Sequence, residues 1–204
     1  MPETVVWSEA QTALPPQILV RTPWDYFQKP DAFTSFLQTP GVEFFNPATL
    51  MTWNLDKTYL QQLADAGVPV VPTVFIAQGQ DASVLLEKAR WPEMVIKPTI
   101  SAGAHLTERI GSAEREKALP IAAQILKDGD LMAQPFCAEV LVKGELSLIY
   151  FNDRTAWGYS HAILKKAKAG DFRVQEKFGG SIEKHHPSEE QFSVAEQALN
   201  ALCR

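Results

Sequence analysis

Short apolar runs alternate with segments of helical period along the first two thirds of the chain. The runs are typical of buried strands and cover residues 17–21, 68–76, 94–97 and 131–136. Between them, apolar side chains recur every three or four positions, as on one helix face, at residues 31–37, 55–66, 83–90 and 119–126. Residues 146–150 and 155–161 then alternate around the turn signal Asn152-Asp153, which predicts an antiparallel hairpin. This order predicts an α+β protein with an α/β piece at its N-terminus.

Polar residues mark the starts of several predicted helices. Asp31 is placed to cap the first helix, and Asp81 or Ser83 to cap a short one. Ser188 and Gln191 have the spacing of a capping box, which predicts a last helix after residue 188.

Lys57 occupies an unusual position in this pattern. Asn54 is predicted to cap a helix that ends before Gly67. Lys57 then lies in the first turn, where the positive end of the helix dipole disfavours a cation by up to about 1 kcal/mol. A bound anion at the same helix end would offset this cost. The alternative is a lysine that reaches away into water.

Residues 93–103 form the segment around which the rest of the chain is organised. Lys97 closes an apolar strand, and Pro98 ends it because proline has no backbone donor. The small residues 99–104 follow, so that backbone N–H groups can approach an anion beside the lysine charge. A strand that ends in a surface lysine is the alternative.

Composition and charge narrow the class of protein. The 204 residues carry a formal net charge of −5, which offers no electrostatic footprint for nucleic acid. No apolar run approaches the roughly 20 residues that span a bilayer, and the N-terminus lacks a signal-peptide pattern. Cys137 and Cys203 are too few for a disulfide framework or a metal cluster. These features predict a reduced, cytoplasmic enzyme.

A second candidate edge follows the strand at residues 17–21. Arg21, Trp24 and Asp25 lie beyond its carboxyl end, where open α/β sheets bind ligands. Opposite charges beside an aromatic ring would suit a small zwitterion such as an amino acid. An aromatic packing corner with an Arg–Asp surface pair is the alternative.

Five stretches, taken in order, resemble the ATP-grasp superfamily of carboxylate–amine ligases. They are residues 21–26, 53–60, 95–98, 134–136 with Gly144-Glu145, and 172–175 with Gly179-Gly180. The most similar branch is the glutathione-synthetase-like one, which includes the ligase that closes the D-cycloserine ring. The resemblance implies two α+β subdomains that grip a nucleotide between them. It divides the chain into a partial N-terminal piece (1–51), a small subdomain (52–134) and an incomplete C-terminal subdomain (135–204).

The same resemblance implies contacts with ATP. The residues concerned are Lys57, Lys97, Ser101, Gly103, Gln134, Pro135, Phe136 and Glu145. The two lysines would meet the phosphates, residues 101–103 would cover them, and residues 134–136 would form the adenine hinge. Glu145 would accept the ribose hydroxyls, since a carboxylate accepts two hydrogen bonds, with Glu139 as the runner-up.

Arg173 is the predicted catalytic residue, facing the γ-phosphate or an acyl phosphate, because its planar fork matches an oxygen cluster. A surface salt bridge to Asp171 or Glu176 is the alternative. Lys165 and Lys166 would assist or form a solvated face. His185-His186 has the composition of a metal pair, yet an exposed loop is favoured because no carboxylates surround it.

The implied reaction has two steps and uses ATP with Mg²⁺. A substrate carboxylate attacks the γ-phosphate to give an acyl phosphate, and an amine-type nucleophile then displaces phosphate. In this family the magnesium ligands follow the helix that ends this chain, so no metal ligand is named here. The last helix also lacks a stop signal, and the chain is expected to be truncated at both ends.

Two other functions stay open at this stage. One is a catalytically inactive ATP-binding or regulatory module, and the other is a carboxylate or hydroxyl phosphotransferase. The expected partner is a small molecule, an amino acid or peptide-like acid, without nucleic acid or membrane. Family members often form homodimers, which leaves that assembly open as well.

Overall fold

Three sheets organise the part of the chain that the computed structural model describes, namely residues 14, 16–21, 23, 25–152 and 156–202. Helices and strands are mixed throughout, which confirms the predicted α+β class. Trp24, Asp153 and Thr155 lie outside the described residues. None of the described helices is both long and apolar enough to cross a membrane.

The N-terminal piece is a small parallel pair of strands with two helices. Strand β1 (Gln17–Ile18) pairs with β2 (Glu43–Phe44), and helices α1 (Pro30–Leu37) and α2 (Ala48–Leu55) flank β2 in sequence. Strand β1 is shorter than the predicted run of residues 17–21. The core of this piece consists of Phe33, Leu37, Phe44 and Leu55. It therefore includes a residue beyond the predicted boundary at residue 51.

The predicted cap of α1 is wrong. Pro30 is the first helical residue, and Asp31 lies within the first turn without a capping hydrogen bond. Proline suits this position because its fixed φ is already helical and its missing N–H would have no partner there. Asp31 still favours the helix through its charge near the positive end of the dipole.

The predicted cap at Asn54 is also wrong, because Asn54 lies inside α2. The chain turns out of the helix at Asp56, whose backbone is extended, and a separate helix α3 (Tyr59–Asp65) follows. Lys57 lies in the link between them. Apolar positions on both sides of the link fit one helical period, so periodicity did not reveal the break. Gly67, in the left-handed region at φ 82°, follows α3 as predicted.

The central unit is a four-stranded sheet covered by helices α4 (Ser83–Lys88) and α5 (Ala118–Asp128). Its strands are β3 (Val74–Ile76), β4 (Met94–Pro98), β5 (Glu108–Ile110) and β6 (Leu131–Pro135), in the spatial order β3-β6-β4-β5. All neighbouring pairs are antiparallel, and Lys97 lies opposite Met132. Ile76, Leu85, Met94, Ile96 and Leu131 are fully buried in its core.

Helix details in the central unit follow the sequence with one exception. A 3₁₀ segment (Ser112–Lys117) leads into α5, and Pro120 lies in the first turn of α5, where its missing N–H costs no helical hydrogen bond. The buried face of α5 is formed by Ala118, Ala122, Ile125 and Leu126, whereas Ala123, which lies within the apolar period of residues 119–126, is exposed. Asp81 accepts the N–H of Ser83 at 2.7 Å, so Asp81 is the residue that supports the start of α4.

The C-terminal unit is a three-stranded antiparallel sheet with one long helix. A short helix α6 (Glu139–Val142) precedes strands β7 (Glu145–Asn152), β8 (Trp157–Lys166) and β9 (Ser181–His185), and α7 (Glu189–Leu202) follows. The hairpin of β7 and β8 is confirmed, whereas β9 and α6 were not predicted. The capping box is also confirmed, because the Ser188 N–H donates to Gln191 Oε1 and the Gln191 N–H to Ser188 Oγ.

Candidate nucleotide site

A cavity of about 330 Å³ lies between the central sheet and the C-terminal unit. Every residue predicted to contact ATP lines it, and so does Arg173. Those residues are Lys57, Lys97, Ser101, Gly103, Gln134, Pro135, Phe136 and Glu145. The structure therefore brings together residues that come from six different segments of the chain.

Lys97 points into this cavity from β4, one residue before the strand ends. Burial lowers the pKa of its ammonium, and the nearby Glu145 carboxylate partly opposes that shift. A lysine with little water around it binds an anion more strongly, because it has less hydration to lose.

Lys57 reaches the same cavity and is held by the loop after β4. Its Nζ donates to the carbonyl oxygens of Thr99 (3.1 Å) and Ser101 (2.8 Å) and to Ser101 Oγ (3.3 Å). Burial and, to a smaller extent, the charge of Lys97 lower the pKa of Lys57 to about 8, while the charge of Asp56 partly opposes this shift. The charge of Lys97 contributes to the lowered pKa of Lys57, and both lysines line the same cavity, so the two cations lie close enough to repel each other.

The loop after β4 is held in an unusual conformation. The Thr99 N–H donates to the Asp130 carbonyl at 3.0 Å, which fixes the start of the loop against the segment before β6. Gly103, Ala104 and Leu106 then adopt positive φ angles of 57°, 58° and 46°. Residues that carry a Cβ rarely adopt positive φ angles, so the surrounding structure must hold the backbone of this loop in place.

Tyr26 is a contact of this loop that the sequence did not single out. Its Oη donates to the Ser101 carbonyl at 3.5 Å, a long hydrogen bond, and burial raises its pKa. The aromatic rings of Phe27 and His105 also lie 5.0 Å apart. The N-terminal piece therefore contacts the loop through Tyr26 and Phe27.

The predicted adenine hinge has one backbone group already in use. The Phe136 N–H donates to the Glu93 carbonyl at 3.0 Å, and Pro135 has no N–H. Among the described residues the N–H of Cys137 makes no backbone hydrogen bond, and Cys137 lines the cavity. The available donor is therefore the Cys137 N–H, which the sequence did not identify because the Phe136–Glu93 pairing joins two segments that are far apart in sequence. The Gln134 amide donates to Thr73 Oγ1 at 3.0 Å.

An aromatic and cationic layer covers the hinge. The Arg109 guanidinium lies 3.8 Å from the centre of the Phe136 ring, and the Phe172 ring meets Phe136 edge-on at 5.9 Å. These contacts fix the Phe136 ring at the edge of the cavity.

Glu145 begins β7 and forms an ion pair with Lys165 of β8 at 2.8 Å. Both side chains are partly exposed, so the pair contributes at most about 1 kcal/mol and can exchange for a ligand. Glu139, the runner-up, is on α6 and does not line the cavity. Lys166 pairs with Glu183 instead.

Arg173 lines the cavity and also makes the predicted alternative contact. Its guanidinium donates to both carboxylate oxygens of Asp171, at 2.7 and 3.0 Å, and lies 3.8 Å from the centre of the Phe178 ring. Hydrogen bonds from Arg173 hold the pKa of Asp171 well below its usual range, and the pair raises the pKa of Arg173. The guanidinium is thus fixed in orientation and permanently charged.

Gln175 also lines the cavity, and its side chain carries an acceptor without a partner among the described residues. Its side-chain Oε1 is buried and has no hydrogen-bond partner among the described residues. A buried amide oxygen without a partner costs about 1–3 kcal/mol, which a donor on a bound ligand or a water would recover.

The remaining candidates lie apart from the cavity. Arg21 is exposed, and neither Arg21 nor Asp25 lines the cavity, while Trp24 is outside the described residues. His185 Nε2 contacts Gln191 Oε1 at 3.2 Å, which ties it to the start of α7. His186 is exposed.

Comparison with known proteins identifies the family. The chain is 32% identical over 172 residues to the cycloserine biosynthesis protein DcsG of Streptomyces lavendulae, an alignment that covers 80% of this chain and 54% of that protein. The crystal structure of D-cycloserine synthetase DcsG superposes with a TM-score of 0.80 at 30% identity, covering 95% of this chain and 68% of that one. The chain belongs to the ATP-grasp ligase family. This confirms the resemblance found in the five sequence stretches.

More distant structures share the ATP-grasp fold. The D-Ala:D-Ser ligase VanG of Enterococcus faecalis matches with a TM-score of 0.63 at 14% identity, over 83% of this chain and 51% of that one. The ATP-grasp ligase PsnB, solved with Mg and ADP, matches with a TM-score of 0.57 at 17% identity, over 92% and 63% of the two chains. No protein-family model matches the chain. The chain spans about half the length of the curated relative it matches.

The magnesium that the ATP-grasp resemblance implies was tested against the side chains present. Within the described ranges, no group of three or more histidine, cysteine, aspartate or glutamate side chains is arranged to hold a metal ion. The described residues thus do not fit a metal centre, and no chemical step is assigned to a metal on this chain.

Proposed function

We propose that this chain binds ATP as part of a ligase that joins a carboxylate to an amine-type nucleophile and converts ATP to ADP and phosphate. The observation that carries the proposal is the meeting of Lys57 and Lys97 in one cavity, each with a lowered pKa. The similarity to D-cycloserine synthetase supports the same reaction class.

The two lysines bind the phosphates in this proposal. An anion between them relieves their repulsion and restores the charge that burial disfavours. Ser101 and Gly103 cover the phosphates from the loop after β4. The side chains of this loop are small and Gly103 has a positive φ angle, so the backbone N–H groups can approach the phosphate oxygens. Lys57 keeps the loop in this position through its bonds to Thr99 and Ser101.

Adenine binds along the hinge at the end of β6. The Pro135 carbonyl accepts from the exocyclic amine, and the Cys137 N–H donates to the ring nitrogen beside it, since the Phe136 N–H is already used. The side chains of Gln134 and Phe136 line the part of the cavity that holds the base in this proposal. Glu145 then exchanges Lys165 for the ribose hydroxyls, which costs little because that ion pair is partly exposed.

Arg173 stabilises the transferred phosphoryl group. In the first step a carboxylate oxygen of the substrate attacks the γ-phosphorus, the bond to the β-phosphate oxygen breaks, and ADP leaves with the electron pair. In the second step the amine nitrogen attacks the acyl carbon, the acyl C–O bond breaks, phosphate leaves with that pair, and the nitrogen loses a proton. A guanidinium fixed by Asp171 suits both steps because it stays charged and needs no reorganisation.

The substrates are proposed to be small, amino-acid-like molecules, in line with the names of the relatives. Arg21, Trp24 and Asp25 stay candidates for contacts with one substrate, and of these Arg21 and Asp25 do not line the nucleotide cavity. We expect ATP to be used with Mg²⁺ and the reaction to take place in the cytoplasm. A homodimer is a further candidate assembly, and sedimentation would test it.

Stabilisation by ATP tests the proposed function. ATP at a hundredfold excess over its dissociation constant, with MgCl₂ in the buffer, should stabilise the wild-type fold by about 2.7 kcal/mol in chemical unfolding. Lys97→Met should lose most of this gain, because the central cation is removed. Lys88→Met changes an exposed lysine at the end of α4 and should keep it. Equal gains in Lys97→Met and the wild type would remove Lys97 from the phosphate site.

A further inference from the structure

Lys177 is a cation beside the loop after β4, which is proposed to cover the phosphates. Lys177 belongs neither to the sequence motifs nor to the cavity lining. It lies in the 3₁₀ turn Glu176–Phe178, and its side chain crosses from the C-terminal unit to the loop after β4. A methyl group at Gly103 would lie 3.0 Å from Lys177 Nζ and 3.6 Å from its Cε. Ordinary contacts of a Cβ are longer than 3.4 Å, so the ammonium lies directly on the glycine.

The backbone around Lys177 fixes where this side chain begins. The Gln175 carbonyl accepts from the N–H groups of Phe178 (2.9 Å) and Gly180 (3.3 Å), which closes the turn. A Cβ at Gly180 would lie 2.2 Å from the Val174 carbonyl oxygen, so only glycine fits there. The position of Lys177 opposite Gly103 is therefore set by the fold.

The Lys177 ammonium has no counter-charge in the described structure. Among the described residues it forms no ion pair with a carboxylate, and its recorded partner is the Phe178 ring, 4.9 Å from Nζ to the ring centre. By contrast, Lys165 and Lys166, ten or so residues earlier, are both paired with glutamates. An unpaired cation is held next to a loop that already faces three others, Lys57, Lys97 and Arg173.

The loop itself is held in a conformation that needs support. Gly103, Ala104 and Leu106 all have positive φ, and such backbone persists at ligand clamps where the surroundings hold it. Lys177 lies against the first of these residues, on the rim between the two units. A polyphosphate on this loop would place its outer oxygens near that rim.

We propose that Lys177 closes the rim of the cavity over Gly103 and binds the outer phosphates of the nucleotide, so that it favours triphosphate over monophosphate. The inference rests on the proposed function, because it needs ATP in this cavity. It adds a cation from the C-terminal unit, which links the two walls of the cavity through the ligand.

A nucleotide series measured by titration calorimetry tests the role of Lys177. The probes are ATP, ADP, AMP and adenosine, each titrated into wild type, Lys177→Met and Lys184→Met. Lys184 is an exposed lysine on β9 of the same unit and serves as the matched control. Lys177→Met should weaken ATP binding about tenfold, which is the effect of losing one charged contact. The affinities for AMP and adenosine should change less than about twofold. Lys177→Arg should keep ATP affinity within about threefold, since it retains the charge.

The outcomes separate the inference from the proposed function. If the wild type binds ATP and the ATP affinity of Lys177→Met equals that of Lys184→Met, the inference on Lys177 is wrong and the proposed function stands. A loss that is equal for ATP and AMP contradicts it too, because Lys177 would then act on the fold and not on the outer phosphates. If wild type binds none of the four probes, both are wrong. Unfolding midpoints without ligand verify that the variants are folded.

Discussion

The central sheet and the C-terminal sheet form two walls of one cavity, but they are buried to very different degrees. Met94 and Ile96 of β4 and Leu131 of β6 are 0% exposed, whereas Ala162 is the single fully buried position in β7, β8 and β9. Phe151 and Ile182 of that sheet are 66% and 48% exposed. The central wall is thus self-supporting, while the C-terminal wall gains little from its own core.

This difference separates the roles of the two walls. Lys97 and the loop that binds Lys57 belong to the central unit, so the proposed phosphate contacts are held by the rigid wall. Glu145, Arg173 and Lys177 belong to the less buried wall. Regions with few buried apolar contacts open at lower free energy, so we expect the C-terminal wall to be the part that moves when a ligand enters.

Matched substitutions in the two sheets provide the largest test of this comparison. Ile96→Ala should lower the free energy of unfolding by about 2–5 kcal/mol, because it leaves a cavity in a core with no exposed surface. Leu148→Ala in β7, a half-buried position, should lower it by about 1–2 kcal/mol. Urea unfolding measures both. Equal losses would show that the two sheets are equally well packed.

Much of the fold could be predicted from local pattern, and the parts that could not depend on distant contacts. The capping box of Ser188 and Gln191 is local, and it was predicted correctly. The break between α2 and α3 was not, because the apolar period continues past Leu55 while the link is fixed by the Lys57 N–H bond to the Thr99 carbonyl, 42 residues away.

The candidate site likewise combines residues that the sequence motifs predicted with contacts that they could not predict. Four of the five motifs select residues that line one cavity, and the motif at residues 21–26 does not, although the order of all five along the chain resembles that of a known family. They did not show that the Phe136 N–H donates to the Glu93 carbonyl, nor that Tyr26 and Lys177 contact the loop after β4. Each of these contacts joins two segments that are far apart in sequence.

A smaller effect is expected at the ribose end of the C-terminal wall. Glu145→Gln should change the free energy of unfolding by less than about 1 kcal/mol, since it removes a partly exposed ion pair. It should also reduce the preference for ATP over 2′,3′-dideoxy-ATP, by about tenfold, if the carboxylate accepts the hydroxyls. Glu183→Gln removes a similar pair with Lys166 and should leave that preference unchanged. A preference that survives in Glu145→Gln would assign the ribose to another residue.

The lowered pKa of Lys57 also predicts that ATP binding is coupled to proton uptake. The pKa of Lys57 in the folded chain is about 8, below its ordinary value of 10.5, so between these values the folded chain binds fewer protons than the unfolded chain and the lowered pKa makes stability rise with pH. A polyphosphate beside the ammonium has the opposite effect and raises its pKa. ATP binding near pH 8 should therefore take up protons.

Calorimetric titration of ATP at pH 8, in buffers of different ionisation enthalpy, tests most directly whether Lys57 and Lys97 meet one polyphosphate. The wild type should take up about half a proton or more per ATP at pH 8 and clearly less at pH 6.5, where Lys57 is already charged. Lys57→Met should lose most of this uptake, and the exposed-lysine variant Lys88→Met should keep it. ATP binding without proton uptake, or with uptake that is unchanged in Lys57→Met, would contradict the account.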